Sequence, residues 1–197
     1  MSKQNLYLLI NTLILLVLGL GFILLYATVI PTEPKDRLFG EVITCDEEVE
    51  LTKIPVIGHY EILHTVHDAY NLSGDKIGTV YHVIARNGFI ETPDDEFGYI
   101  ELLVGIDLDD LVYVEIITLS QTSVYNVAIQ NYIYEYYQGF EISGLLSIPV
   151  VNVESDLESG ATASMSTGAV KRLVTMAINE YLNPTLSLSE VTKGWQK

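Results

Sequence analysis

From Leu6 to Ile30 the sequence runs 25 residues without a charged side chain, dominated by Leu, Ile and Val. An α-helix of that length covers ~37 Å at ~1.5 Å per residue, against a bilayer hydrocarbon core of ~30 Å. The run therefore predicts one tilted, single-pass transmembrane helix. Asn11 is its one strongly polar side chain and falls near the expected interface, while Gly19 and Gly21 have the wrong spacing for a small-xxx-small helix seam. A cleaved signal peptide has a shorter apolar region, ~7–15 residues, ending in a small-x-small site. Ala27-Thr28-Val29 is a poor match to such a site, so an uncleaved anchor is expected. Lys3 on one side and Lys35 and Arg37 on the other leave the orientation undecided by positive charge.

Pro31 and Pro34 end the helical pattern, because proline cannot continue the hydrogen-bond ladder. The expected organisation is thus an anchor and connector over residues 1–37 and one domain over 38–197, an ordinary size for a single core. The acidity belongs to that domain: Asp and Glu number 26 against 10 Lys and Arg, and Lys3 is the only charged residue before Glu33. Such a field repels phosphate backbones and the few basic residues are scattered, so nucleic acid is not an expected partner. Cys45 is the only cysteine, which excludes an intramolecular disulfide, a thiolate metal cluster and a Cys-x-x-Cys redox pair.

The soluble part reads as α+β, an antiparallel sheet with packed helices. An apolar β-rich run to Tyr70, a turn at Ser73-Gly74-Asp75 and a second run over 77–84 form a hairpin. Asn87-Gly88 closes that run, Pro93-Asp94-Asp95 makes another loop, and Tyr99–Ile106 and Leu111–Leu119 are joined by a turn at Asp107–Asp110. Residues 124–140, rich in Tyr and β-branched side chains, fit either a strand or a buried helix. Gly144–Val153 reads as a buried strand and Glu154–Ser166 as a loop. Val170, Leu173, Val174, Ala177, Ile178 and Tyr181 then mark one face of a helix that Asn183-Pro184 terminates.

The loop before that helix carries the chemistry. Its small residues allow close backbone approach, and the free N–H groups of a helix start attract anions, so the segment suits a phosphate. A plainer reading makes it a hydroxyl-rich loop with Ser166 or Thr167 as N-cap. The spacing of a Walker loop is absent, which disfavours nucleoside triphosphate hydrolysis. Asp156-Leu157-Glu158-Ser159-Gly160-Ala161-Thr162 resembles the flavinylation motif Asp-x-x-[Ser/Thr]-Gly-Ala-Thr of the FMN-binding domains in NqrC and RnfG subunits of ion-translocating redox complexes, matching at every specified position. Gly98–Asp107 is similar to that family's Gly-rich strand, and an anchor followed by one such domain is its architecture.

The resemblance implies FMN held covalently by a phosphoester to Thr162, installed by a separate flavin transferase. It further implies that Ser159, Gly160, Ala161 and Ser164 shape the phosphate pocket and that Asp156 belongs to the transferase recognition motif. Where relatives have Glu-Thr-Pro-Gly-Leu-Gly beside the flavin, this chain has Ser120-Gln121-Thr122-Ser123-Val124-Tyr125, and only Thr122 is kept. The implied role is an electron-transfer subunit of a membrane ion-translocating oxidoreductase complex, inactive alone and partnered by the other subunits. It would sit in the cytoplasmic membrane with its FMN domain on the extracytoplasmic side. A stand-alone membrane-tethered flavoprotein or ligand-binding module outside any ion pump is the alternative, and an adhesion or sensor domain without flavin is a third reading.

No catalytic residue and no metal site is expected. His59, His64 and His67 lie close in sequence with Asp68, but strand alternation puts residues 64 and 67 on opposite faces. Glu33, Glu47, Glu48 and Glu50 read as solvated connector residues. Tyr125, Tyr132, Tyr134 and Tyr136 could stack on a flavin, though core or sheet packing is the ordinary fate of such residues.

Overall fold

The computed structural model describes residues 3–29, 38–86, 98–121, 123–150 and 164–185. It divides into two compact units, residues 1–33 and 34–197. The first contains helix α1, Lys3–Val29, whose side chains over residues 10–23 are all exposed. Among the described residues no helix is long and apolar enough to cross a membrane. The continuous stretch of α1 with described side chains is only residues 10–23, although its backbone runs 27 residues.

The second unit is α+β and its sheet is antiparallel throughout. Strands β1 (Thr44–Cys45) and β2 (Val49–Glu50) both pair with β3 (Tyr60–Tyr70), and the sheet continues through β4 (Lys76–Arg86), β5 (Tyr99–Asp107) and β6 (Leu111–Ser120) to β7 (Gln138–Glu141). The β3–β4 turn forms where expected: the Asn71 carboxamide oxygen accepts from the Ser73 and Asp75 backbone N–H groups at 2.9 Å each, and Gly74 takes a positive φ of 86°. At the β5–β6 turn the Asp107 carboxylate accepts from Asp109 and Leu111 N–H, both at 2.9 Å. Short polar side chains that bond their own backbone thus set both hairpins.

Residues 123–136 resolve as helix α2, followed directly by β7. Ile129, Tyr132, Ile133 and Tyr137 recur at helical spacing and all are buried, so the run packs as a helix despite its β-branched content. The expectation of a buried strand over Gly144–Val153 is not met. Residues 142–147 form a short 3-10 helix in which Leu145 is buried and Leu146 is 91% exposed, and the Ser147 hydroxyl bonds the Gly144 carbonyl at 2.6 Å. Gly and Ser here favour a local turn over a ladder, while residues 151–153 lie outside the described set.

Helix α3, Ser164–Leu182, buries Ala169, Val170, Leu173, Val174, Ala177 and Ile178. Together with α2 it covers one sheet face, whose inward residues include Leu63, Tyr81, Val83, Leu102, Val104 and Val114. The α3 end is held by Glu180, whose carboxylate accepts from the Thr185 N–H and hydroxyl at 3.1 Å, and by the Tyr181 hydroxyl, which donates to Asp110 at 3.0 Å. On the opposite face a smaller cluster of Leu38, Ile43, Ala69, Val80 and Leu103 seats the segment that enters the domain.

Phe39 lies against that second face because two strand positions there lack a Cβ. An added Cβ at Gly78 would meet the Ile106 carbonyl oxygen at 2.5 Å and Phe39 Cζ at 2.9 Å, and one at Gly105 would meet Phe39 Cζ and Leu38 Cδ2 at 2.8 Å. Gly78→Ala is expected to lower unfolding free energy by about 1–3 kcal/mol through overpacking. Gly144→Ala, where only ordinary contacts at 3.7 and 3.9 Å await, should stay within about 0.5 kcal/mol. Urea titrations of the full chain followed by tryptophan fluorescence or circular dichroism would compare them.

Candidate cofactor site

Helix α3 begins at Ser164, two residues past Thr162. Ser166 and Thr167 therefore lie inside its first turn, so neither is the N-cap; the small, hydroxyl-rich sequence enters the helix earlier than its polarity indicates. Thr167 is fully buried. Asp156, Ser159, Gly160, Ala161, Thr162 and Thr122 lie outside the described residues. Of the expected site residues only Ser164 falls on a described element, as the first residue of α3.

The surroundings of this helix start are built from three distant stretches. The Ser166 hydroxyl donates to the Gln121 side-chain oxygen at 2.8 Å, across 45 positions of sequence. The Gln121 amide nitrogen in turn donates to the Tyr99 and Ser120 carbonyls at 3.2 and 3.3 Å, and Gly98 N–H bonds Ser120 at 2.8 Å. One carboxamide thus ties the end of β6, the start of β5 and the first turn of α3 together, and its donor and acceptor ends are each used once or more. Gln121 thus stands beside the helix that follows residues 156–162 in the sequence.

Residues 148–150 lie beside α2 and the first turns of α3: the Tyr132 hydroxyl donates to the Pro149 carbonyl at 2.9 Å and the Lys171 ammonium to the Ile148 carbonyl at 2.5 Å. Val150 stands against Gly168, where an added Cβ would come within 3.8 Å of the valine and 3.3 Å of an Arg172 guanidinium nitrogen. The first turn of α3 carries no acidic residue, so no carboxylate of that turn opposes an anion at the free N–H groups. Arg172 makes a two-pronged ion pair with Glu61, with contacts of 2.7–2.9 Å, and that carboxylate pushes the guanidinium further up.

The tyrosines divide as their burial dictates. Tyr132 is a core residue, its hydroxyl 3.2 Å from that of Tyr137, and burial pushes both phenols up. Tyr125 and Tyr136 pack at the edge of the same core, and Tyr134, half exposed, reaches Glu115.

A second constellation lies on the other sheet face, and strand alternation alone does not find it. The β3–β4 register shifts between Leu63 and Thr65, so His64 and Thr65 both face His82. The bulge undoes the alternation that would separate His64 from its neighbours. Glu48, just before β2, joins them, and one ligand atom from each of Glu48, His64 and His82 lies within 4.8 Å of the others. His64 Nδ1 is 2.8 Å from the Thr52 carbonyl, and His82 Nε2 is 2.8 Å from Glu101 Oε1, whose other oxygen accepts from the Thr118 hydroxyl at 2.8 Å. The His82 bond, with Thr118 in support, holds the Glu101 carboxyl below the usual range. The buried Thr65 hydroxyl, short of hydrogen-bond geometry with any partner, is the largest influence lowering Glu48, followed by His67, His82 and His64.

Comparison with known proteins adds no relative: no protein-family model, no curated protein and no solved structure matches the chain.

The Gln121–Ser166 bond is open to a double-mutant cycle. Each single change, Gln121→Ala or Ser166→Ala, should cost about 1 kcal/mol, and the pair should be coupled by at least ~0.5 kcal/mol because both remove one part-buried hydrogen bond. Additive losses in denaturant unfolding would show that the bond does not hold β6 to α3.

Proposed function

We propose that the chain is a membrane-anchored electron-transfer subunit that carries FMN as a phosphoester on Thr162, within a redox complex of the ion-translocating type. The observation that carries the reading is the run Asp156 to Thr162, which matches the flavinylation motif at every specified position and stands two residues before a long helix. Three features support it. The α3 start offers N–H groups for a phosphate diester with no acidic residue in its first turn, residues 148–150 lie beside the first turns of that helix, and Gln121 bonds Ser166 in its first turn.

In this reading the chain's own residues position and insulate the group. Thr162 holds the phosphate, Ser159, Gly160, Ala161 and Ser164 shape its surroundings together with Thr122, and Asp156 serves recognition by the flavin transferase. When bound, FMN supplies one- and two-electron chemistry, and a covalent link prevents its loss by dilution outside the cell. Residues 13–25 of α1 are all apolar or glycine, as a lipid-facing helix requires, and α1 is read as a single span of the cytoplasmic membrane with the acidic domain outside.

Co-expression with a flavin transferase should add one FMN to the intact mass and give a yellow protein, and Thr162→Ala should abolish both. Wild-type protein that keeps its bare mass and stays colourless under the same conditions overturns the assignment. For the topology, the pair Cys45→Ala and Ser73→Cys places a single thiol on the exposed β3–β4 turn. A membrane-impermeant maleimide should label it in intact cells, and labelling only after lysis would put the domain inside.

A further inference from the structure

The two histidines on the second sheet face are arranged as metal-bound histidines are. A carbonyl oxygen only accepts, so the 2.8 Å contact with Thr52 makes His64 Nδ1 the protonated nitrogen and leaves its Nε2 with a free lone pair. The Glu101 carboxylate likewise accepts a hydrogen bond from His82 Nε2–H, leaving Nδ1 with the lone pair. These are the partners that orient ligating imidazoles: a backbone carbonyl for one and a carboxylate for the other, the latter itself held by Thr118. One ligand atom from each of Glu48, His64 and His82 lies within 4.8 Å of the others.

We propose that Glu48, His64 and His82 bind one divalent ion of the borderline zinc type, with Glu101 and Thr52 as positioning residues. Two imidazoles and one carboxylate form a three-ligand set that leaves a position for water or another ligand. Tetrahedral bonds of about 2.0–2.1 Å require ligand atoms about 3.3 Å apart, so the set must contract. Glu48 is exposed and on a short connector, whereas His64 and His82 are half-buried on paired strands; the carboxylate therefore does the moving. Thr65, buried beside Glu48 with its hydroxyl unpartnered, gives the contracted carboxylate a donor. The ion would tie the connector between β1 and β2 to strands β3 and β4. The site is independent of the flavin and lies on the face of the sheet opposite α2 and α3.

The test is calorimetric titration of Zn2+ into tag-free full chain in detergent after chelator treatment. One ion should bind per chain. His64→Ala and His82→Ala should each weaken binding by at least about 100-fold and Glu48→Gln by about 10-fold or more, while Glu101→Gln should weaken it about 10–100-fold through the orientation of His82. Glu47→Gln, on the exposed neighbour, should leave the affinity unchanged. Circular dichroism checks that the histidine variants fold; if they do not, Glu48→Gln carries the test, because its side chain is exposed and outside both clusters of the core. In Co2+-loaded protein Glu101→Gln should also shift the visible ligand-field bands, which a loss of stability alone would not do. Absence of saturable binding, or Glu48→Gln protein that binds Zn2+ as tightly as wild type, overturns the proposal.

Discussion

The burial of one helical stripe on one face of an antiparallel sheet fixes almost everything else in the domain. Ala169, Val170, Leu173, Val174, Ala177 and Ile178 are hidden against β3, β4 and β5, and each large apolar side chain so removed from water contributes about 1.5–3 kcal/mol. That contact sets the axis of α3 and hence the place of its first turn. Polar bonds then fix the ends: Ser166 to Gln121 at the start, Tyr181 to Asp110 and Glu180 to Thr185 at the finish.

The two faces of the sheet do different work because alternate residues of each strand point opposite ways. The centre of one face is apolar and takes the helices. The other is divided between a patch that receives Leu38, Phe39 and Ile43 and a polar stripe through His64, His82, Glu101 and Thr118. Polar groups are tolerated there because they are mutually satisfied: Glu101 accepts from both an imidazole and a hydroxyl, and so its half-burial in a strand costs little. Register shifts occur where this stripe crosses β3 and β6, and bulges of that kind re-aim side chains that regular pleating would separate.

Much of this architecture is written locally. Asn71 and Asp107 place two hairpin turns through bonds to their own backbones, and the stripe of α3 marks the same residues that the core buries. Residues 124–140 are different, since Tyr and β-branched residues satisfy either period and only the sheet's demand for a cover selects the helix. Gly144–Val153 is apolar enough for a strand but found no ladder partner over residues 142–147, where Gly and Ser close a tight 3-10 turn instead.

By itself the sequence determined the uncharged N-terminal run, the acidity of the domain beyond it, the β3–β4 and β5–β6 hairpins with their turns, and the Asp156–Thr162 motif, because each depends on residue types at fixed spacing. Tertiary structure alone decided that Gln121 meets Ser166 across 45 positions and that Glu48, His64 and His82 converge. Those contacts depend on strand pairing and on a one-residue bulge, and a bulge reflects the energy of a whole sheet, which no local pattern encodes.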